Sequence, residues 1–532
     1  MSGIRDLRKA GRLEEALELG VKQLATDQDN IWLKRDLSWV YYDLMKRHVA
    51  HAERVSFLQH ARSLADLGLG GDEAMLMENT AFQFVKILFD LARHEIKDPA
   101  FVDEAFTLSR RLPVPKGTDA HGALVNAFIK HADHWHHITE LLLWADIEAL
   151  PAKCFHPEEF NGTTIPALVE RACIAAGKEL LREHRPGQAF SGEREAQLSA
   201  LIPVLERLVQ GHSDLGYVLY YLAKLLHAKG DDEAALARLL PFARKKAREF
   251  WVWQLMAHLR QGDAHDQIAC LCKALTCKTK GEFLVKVRDE LAALLIKQQL
   301  FNEARTEIDM SIEERTQHGW PLGRHLDEWT REPWYAQATR LPNNDGFYRS
   351  RQDRAEEILL LDQPYRTAIV GSVNAERRMV YYHTSPSTGG NFPLRAGDAS
   401  LKAGDLIDVK TVEVKGKTGP YEKVLLHRPS DKAGIPGLTV EFTGVMHVKQ
   451  DRNGNTIGFV KQTGAGQRMT ARQAPPPKDV FVPPHVIAPM GLPGQGPFTV
   501  RGKAMLLPKR QKDAQQSPPA ELGPVAYVIV IE

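Results

Sequence analysis

The stretch Ala228-Lys-Gly-Asp-Asp-Glu-Ala-Ala235 recurs in altered form as Lys9-Ala-Gly-Arg-Leu-Glu-Glu-Ala16. Around both copies, apolar residues return at intervals of three and four, which is the spacing of one helix face. The glycine closes a first helix, and the small alanine near the start of a second helix lets the two helices pack closely. Because this spacing continues over residues 1–335 with almost no alternation of period two, we expect helices throughout that part.

These recurring segments resemble tetratricopeptide repeats, whose unit is about 34 residues long. Weaker copies follow, and their equivalent positions Gly230, Gly262 and Gln299 lie 32 and 37 residues apart. The resemblance implies an α-solenoid of helical hairpins over residues 1–340, with a curved surface that recruits a protein partner. The number of repeats and the identity of the partner stay open.

The composition separates the two ends of the chain. Its 532 residues suffice for about two to four domains, and 43% hydrophobic with 26% charged residues is typical of a globular protein. The net charge of +2 conceals an asymmetry, because residues 341–532 hold 25 Lys and Arg against 18 Asp and Glu, together with 19 of the 30 prolines. A basic, proline-rich end joined to a mildly acidic helical part indicates a nucleic-acid partner for the basic end.

Targeting and redox features are sparse. The first residues are charged and lack an apolar segment, and no run of about 18 apolar residues occurs anywhere, so we expect neither secretion nor a membrane span. The cysteines are too few and too unevenly spaced for a disulfide framework, which favours buried thiols in a cytoplasmic protein without a cofactor. They are Cys154, Cys173, Cys270, Cys272 and Cys277.

The pattern changes near Asn343-Asn-Asp-Gly346, a cluster of residues that break helices. We expect a linker with a short helix over residues 341–364. Strand-like runs then follow, among them the clearly alternating Leu406–Val414, with glycine-rich turns between them. Short strands without intervening helices predict small antiparallel barrels, a first over 365–435 and a second of about five strands over 436–532.

Short motifs in this part resemble cold-shock domains. Ile457-Gly-Phe-Val460 and Asp479-Val-Phe-Val482 are similar to the second and third strands of that family, and Asn374-Ala-Glu-Arg377 to the turn between its first two strands. Cold-shock domains are OB-type barrels that bind single-stranded RNA or DNA through exposed aromatic side chains on strands two and three. The resemblance implies two OB-type barrels in tandem that bind single-stranded nucleic acid, with RNA favoured over DNA.

A single strand offers phosphates to Lys and Arg and base faces to aromatic rings. Because side chains alternate along a strand, one ring of the Tyr381-Tyr382 pair lies in the core, and the resemblance favours Tyr381 as the exposed one. The alternatives are barrel core for an aromatic residue and a solvated surface charge for a basic residue. The candidate nucleic-acid-binding residues are Arg377, Arg378, Tyr381, Phe392, Lys415, Lys417, Tyr421, Phe459, Lys461, Phe481 and His485.

A histidine-rich stretch gives a different hypothesis. His131, His134, His137 and Glu140 follow one another at helical spacing, and imidazoles with a carboxylate suit Zn²⁺, as in a metal-dependent nuclease. The pair of histidines four residues apart in HExxH is absent, and the alternative is a polar, solvated helix face. Whether this stretch binds a metal stays open.

Sequence motifs of common enzymes are absent, since the chain has no P-loop, no GxGxxG after a strand, no HExxH and no GxSxG. We therefore expect a non-enzymatic adaptor whose barrels bind nucleic acid while the solenoid recruits a protein. The layout resembles bacterial proteins of stress and conflict systems, including antiviral (anti-phage) defence. The alternative is a protein-only scaffold in which the barrels are structural or protein-docking modules.

Overall fold

The computed structural model describes residues 3–182, 184, 190–395, 398, 400–416, 419–452, 454–463, 479–492, 496–508 and 522–531. The chain divides into two compact units, Met1–Asn344 and Asp345–Glu532. The first unit is helical and the second is rich in β-strands. The predicted order of a helical part followed by a β part is thereby confirmed.

The first unit consists of helices joined by short connections, with one small hairpin of strands β1 (Glu158–Phe160) and β2 (Thr163–Ile165). Its helices are α1 (Ile4–Lys9), α2 (Leu13–Thr26), α3 (Ile31–Arg47), α4 (Arg54–Asp66), α5 (Ala74–Arg93), α6 (Pro99–Arg111), α7 (Asp119–Ile129), α8 (Ile138–Ala145), α9 (Leu168–Leu181), α10 (Gly192–Gly211), α11 (Gly216–Ala228), α12 (Asp232–Lys245), α13 (Phe250–His258), α14 (Ala264–Leu275), α15 (Val285–Lys297), α16 (Phe301–Gln317), α17 (Arg324–Arg331) and α18 (Pro333–Gln337).

The recurring segment forms a repeated helix–turn–helix geometry. Gly230 lies in the turn that follows α11. Its φ is 90°, in the left-handed region that glycine enters at little cost. Asp231 then begins α12 by accepting a hydrogen bond from the backbone N–H of Ala234. At the equivalent position before α16, Gln299 adopts the same left-handed backbone with a φ of 58°. Five residues after Gly11, Gly230 and Gln299 lies a small residue that is fully buried, namely Ala16, Ala235 and Ala304.

The second unit begins with two short helices and continues as two β modules, with a third short helix in the second module. The helices are α19 (Asp345–Ser350), α20 (Gln352–Leu359) and α21 (Pro484–Ile487). The strands of the first module are β3 (Arg366–Asn374), β4 (Met379–His383), β5 (Gly389–Pro393), β6 (Leu406–Gly416) and β7 (Gly419–Pro429). Those of the second module are β8 (Thr439–Gln450), β9 (Thr456–Gln462), β10 (Val480–Val482), β11 (Phe498–Pro508) and β12 (Leu522–Ile531).

The two modules differ in closure. The second is a closed barrel in the order β10-β12-β11-β8-β9, in which β10 and β12 are parallel and all other pairs are antiparallel. The first is an antiparallel sheet in the order β5-β4-β3-β6-β7. It curls enough for the Phe392 ring on β5 to lie 4.6 Å from the His427 ring on β7. The structure therefore contains one closed barrel and one curled sheet where we expected two barrels.

Each module has its own apolar core. Ala368, Val370, Val380 and Val409 fill the first, and the second is filled by residues such as Met446 and Val460. These residues recur at every second position, so the intervening side chains point away from the core. The strand face that points away from the core is called the outer face below.

The outer face of the first module packs against the second module. Ile369 and Tyr527 are buried together with Leu438 and Met505. Gly404 lies so close to this cluster that a Cβ atom there would be 2.2 Å from Cδ2 of Tyr527, and its φ is 96°. Glycine is thus required at this point both by the backbone conformation and by the close approach of the tyrosine.

Within the described residues, we find no helix whose length and apolar character would let it cross a bilayer.

Candidate nucleic-acid interface

Three aromatic side chains form a row across neighbouring strands of the barrel. His447 on β8 pairs in register with Phe459 on β9, and Phe459 pairs with Phe481 on β10. The centroids of the two phenylalanine rings lie 5.5 Å apart. Paired strands are about 4.8 Å apart, so the row spans roughly 10 Å across the sheet. We call these three residues the aromatic row.

The strand pleat places the row on the outer face. Met446 and Val448 flank His447 and are buried in the core, as are Val480 and Val482 on either side of Phe481. His447 itself is exposed, and both phenylalanines are half-buried. Alternation of side chains along each strand therefore directs all three rings away from the core.

Glycine supports this arrangement from inside the barrel. A Cβ atom on Gly458 would lie 3.0 Å from Cδ1 of Ile487 and 3.1 Å from Sδ of Met446. A side chain at the position that precedes Phe459 would therefore push these core side chains aside by a few tenths of an ångström. In the Gly458-Phe459 pair, the glycine faces the packed core and the phenylalanine lies on the outer face.

One lysine lies on each side of the aromatic row. Lys449 follows His447 by two residues, and its ammonium nitrogen is 4.6 Å from the centroid of the Phe459 ring. Lys461 follows Phe459 by two residues, so it shares the outer face, and its side chain is exposed. Register places Lys461 opposite Val445 and Lys449 opposite Ile457, at opposite ends of the same patch. The face thus combines stacking surfaces with positive charge on both sides.

A cleft of about 200 Å³ lies between the two β modules. Tyr381 and His383 of β4 line one wall, and Pro483, His485 and Tyr527 of the second module line the other. Two of the predicted residues, Tyr381 and His485, are therefore brought together although they are far apart in the sequence. Since Pro483 directly follows β10, the cleft adjoins the strand that carries Phe481.

Burial makes part of this cleft electrically neutral. It lowers the pKa of His383, so that this imidazole is uncharged at pH 7. Burial, aided by the negative charge of Glu441, raises the pKa of Tyr527, so that its phenol also stays neutral. Neutral rings with polar atoms suit the edge of a nucleic-acid base better than a phosphate, which requires positive charge.

The three predicted aromatic residues of the first module differ in burial and in position. Phe392 is only 2% exposed and packs against Tyr382 in the core, because its position on β5 points inward. The expectation that Phe392 stacks with bases is therefore corrected, and it is left out of the candidate interface. Tyr382 is the buried member of its pair, so Tyr381 is the ring on the outer face. Tyr421 on β7 is 53% exposed and does not line the cleft.

Two of the predicted basic residues of the first module lie in one turn. Arg377 and Arg378 are exposed in the turn between β3 and β4, where Oδ1 of Asn374 accepts a hydrogen bond from the Arg377 backbone N–H at 2.8 Å. Arg378 has a left-handed φ of 51°. Lys417 lies outside the described residues, and so does the side chain of Lys415.

Sequence reasoning missed several residues of this region, namely His447, Lys449, His383 and Tyr527. A signal for His447 exists, because it alternates with Met446 and Val448 in a strand of apolar residues. No comparable pattern predicts the cleft, since its two walls belong to different modules.

The histidine-rich stretch does not form a helix face. Helix α7 ends at Ile129 and α8 begins at Ile138, so the histidines lie mainly in the connection. His131 is buried, with its Nε2 atom 3.0 Å from the carbonyl oxygen of Leu88, and burial lowers its pKa. His137 instead lies near the carboxylates of Glu140 and Asp103. His131 and His137 therefore do not lie on one common face, as the metal hypothesis would require.

Residues 216–355 match a family model described as a domain of unknown function, DUF7017. No curated protein matches the sequence. Among solved structures, one described as "The hypoxic regulator of sterol synthesis Nro1 is a nuclear import adaptor" has 14% sequence identity and a TM-score of 0.16, covering 62% of this chain and 99% of that chain.

Proposed function

We propose that the second unit binds single-stranded nucleic acid, with RNA as the first ligand to test, across the outer face of β8, β9 and β10. The observation that supports this most is the aromatic row His447–Phe459–Phe481 with Lys449 and Lys461 on its two sides. In this proposal the protein is a non-enzymatic adaptor, and its helical unit recruits a protein partner.

The chemistry of the row favours a single strand over a duplex. Each ring offers a flat apolar face, and stacking of a base on such a face contributes about 1–3 kcal/mol. In a duplex the base faces are already stacked on one another and are not available. A row of roughly 10 Å accommodates two or three bases, and the flanking lysines attract the phosphates that connect them.

Strand order supports OB-type modules. When the strands of each module are numbered one to five, both modules pair strands 1 with 2, 2 with 3, 1 with 4, and 4 with 5. The closed barrel adds the parallel pair of strands 3 and 5. In OB-type barrels the face of strands two and three binds oligonucleotides, and the aromatic row extends across these strands in the second module.

The helical unit is proposed to be a tetratricopeptide-like solenoid that contacts a protein. Large apolar side chains are exposed there, with Trp32 at 69%, Val55 at 76% and Met75 at 72%. The guanidinium of Arg35 stacks on Trp32 and also pairs with Glu73, which orders the start of α3 against the segment before α5. The proposed setting, a bacterial stress or anti-phage system in the cytoplasm, rests on the resemblance of the layout.

The direct test is fluorescence anisotropy of the full chain with labelled single-stranded oligonucleotides of RNA and DNA across a salt series. We expect binding that weakens as salt rises, because phosphate contacts release counterions. Phe459→Ala and Phe481→Ala should each weaken binding by about 1–3 kcal/mol. Phe160→Ala is the matched control, since Phe160 is also a strand phenylalanine and is 63% exposed, but it lies in the helical unit.

The outcomes separate the two functions considered. Undetectable binding at low salt, or binding that does not depend on salt, would contradict the nucleic-acid proposal and favour the protein-only scaffold. Equal losses from Phe459→Ala and Phe160→Ala would place the binding surface elsewhere. Circular dichroism of each variant checks that the fold is retained.

A further inference from the structure

His51, Asp90 and His94 form a cluster in the helical unit. Each offers one ligand atom, and these atoms lie within 4.8 Å of one another. Nδ1 of His51 is 2.8 Å from Oδ2 of Asp90, Nδ1 of His94 is 3.5 Å from Oδ1 of the same carboxylate, and the two imidazole rings are 4.3 Å apart. Three side chains from two segments, 39 residues apart, therefore converge on one point.

The backbone holds the carboxylate of this cluster in place. The backbone N–H of His51 donates a hydrogen bond to Oδ2 of Asp90 at 2.8 Å. Nδ1 of His94 lies 2.9 Å from the backbone carbonyl oxygen of Asp90, one helical turn earlier. The hydrogen bond from the His51 backbone N–H thereby orients the Asp90 carboxylate, as hydrogen bonds to ligating carboxylates do in known metal sites.

The segment that carries His51 is also fixed from its other side. Arg54 donates a hydrogen bond from Nη1 to the carbonyl oxygen of His51 at 3.0 Å. The same guanidinium pairs through Nε with Asp98 at 2.8 Å. His51 is therefore positioned by contacts to both of its backbone polar groups, and the approach of the three side chains does not depend on one contact.

We propose that His51, Asp90 and His94 bind a divalent transition-metal ion of the zinc class. Two imidazoles and one carboxylate match the ligands of Zn²⁺ sites with three protein ligands, whereas Mg²⁺ and Ca²⁺ prefer oxygen ligands. Tetrahedral zinc with bonds of about 2.0–2.1 Å needs ligand atoms about 3.3 Å apart, so the side chains move closer when they bind the ion.

The remaining coordination position faces solvent. The exposed side-chain fractions of the ligands are 31% for His51, 21% for Asp90 and 48% for His94. A water molecule completes the coordination in this proposal. The ion connects the segment before α4 to the end of α5 and thereby stabilises the helical unit.

The test uses the full chain freed of metal by a chelator and titrated with zinc chloride by calorimetry. We expect one zinc ion per chain and a higher midpoint of thermal unfolding in its presence. His94→Ala, at an exposed position, should weaken zinc binding by at least about tenfold, since even changes next to metal ligands cost that much. His137→Ala is the matched control, because His137 also lies beside two carboxylates.

A second variant keeps the test decisive if the alanine variant fails to fold. Asp90→Asn retains an acceptor for the His51 backbone N–H but removes the negative charge, and we expect it to lose zinc affinity while the helical content measured by circular dichroism stays the same. Binding of Co²⁺ gives an independent readout, since tetrahedral cobalt absorbs visible light. No zinc binding by the wild-type chain, or equal weakening by His94→Ala and His137→Ala, would overturn the proposal.

Discussion

The two β modules share four strand pairings but use their outer faces differently. In the second module, the outer face of the strand that carries Phe459 presents aromatic rings beside exposed lysines. In the first module, the outer face of the equivalent strand carries Tyr381 and His383, which line the cleft against the neighbouring module. The same pleat therefore exposes one aromatic face and covers part of the other.

This difference shows that the position of a ring on a strand decides only whether it points into the core. Whether an outward ring is available to a ligand depends on what packs nearby. Ile369 and Tyr527 join the two modules, so the first module gives up outer surface to this contact. We infer that the second module would make the main contribution to the proposed nucleic-acid binding and that the first positions the cleft beside it.

The largest expected effect comes from breaking the contact between the modules. Tyr527→Ala removes a buried ring and leaves a cavity beside Ile369, which should cost about 3–5 kcal/mol. Hydrogen exchange measured by mass spectrometry should become faster in residues 366–374 as well as in β12. Val528→Ala is the control, because Val528 follows directly in the strand and is 43% exposed. Unchanged exchange in residues 366–374 would show that the modules are stable independently.

The next largest effect concerns the unequal contributions of the two modules to binding. Phe459→Ala should weaken oligonucleotide binding by about 1–3 kcal/mol, and Tyr381→Ala should weaken it less, because Tyr381 is partly covered in the cleft. Titrations of both variants with the same labelled strand measure the difference. Equal losses would contradict the inferred division and make the first module an equal binding surface.

A smaller effect should appear in the salt dependence. If Lys461 contacts one phosphate, Lys461→Ala should reduce the slope of log K against log salt concentration by about 0.7, the value for one contact with a single strand. Lys423→Ala, at an exposed position on β7 of the first module, is the control and should leave the slope unchanged. A slope unaffected by Lys461→Ala would remove this lysine from the interface.

The smallest effect should be a dependence on pH at the cleft. Burial lowers the pKa of His383 in the folded protein, so below about pH 6.5 the unfolded chain takes up a proton more readily than the folded one. Stability should therefore fall as the pH falls through this range. His383→Gln should lose less stability between pH 7.5 and 5.0 than the wild type, measured as the shift of the thermal midpoint. An identical loss in both proteins would mean that His383 does not contribute.

Much of the architecture follows from local patterns. The three- and four-residue spacing predicts the helical part, and short strand-like runs together with the cold-shock resemblance predict the strands that carry Phe459 and Phe481. For each aromatic residue, only the structure decides between a place in the barrel core and a place on the outer face. Phe392 lies in the core and Tyr381 on the outer face because of their positions in the pleat, which a motif resemblance does not determine for every residue.

Contacts between distant segments could not be predicted in this way. Ala368, Ile369 and Val370 are all fully buried, which breaks the alternation expected of a strand with one solvated face. This continuous apolar run is a sequence signal for burial on both faces, but it does not identify the covering element. His51 and Asp90 likewise converge although they are 39 residues apart in the sequence, whereas His131 contacts the carbonyl oxygen of Leu88 and His137 the carboxylate of Glu140.

Because β3 is buried on both faces, the first module depends on its neighbour when genes are rearranged. Ile369 and Leu406 on the outer face of the first module pack against residues of the second. A gene fragment that encoded residues 365–435 without their neighbour would yield a sheet with this apolar patch open to water and to other chains. A gene rearrangement that moved the first module by itself would thus yield a poorly soluble protein. The pair of modules is the part that can be transferred as a whole.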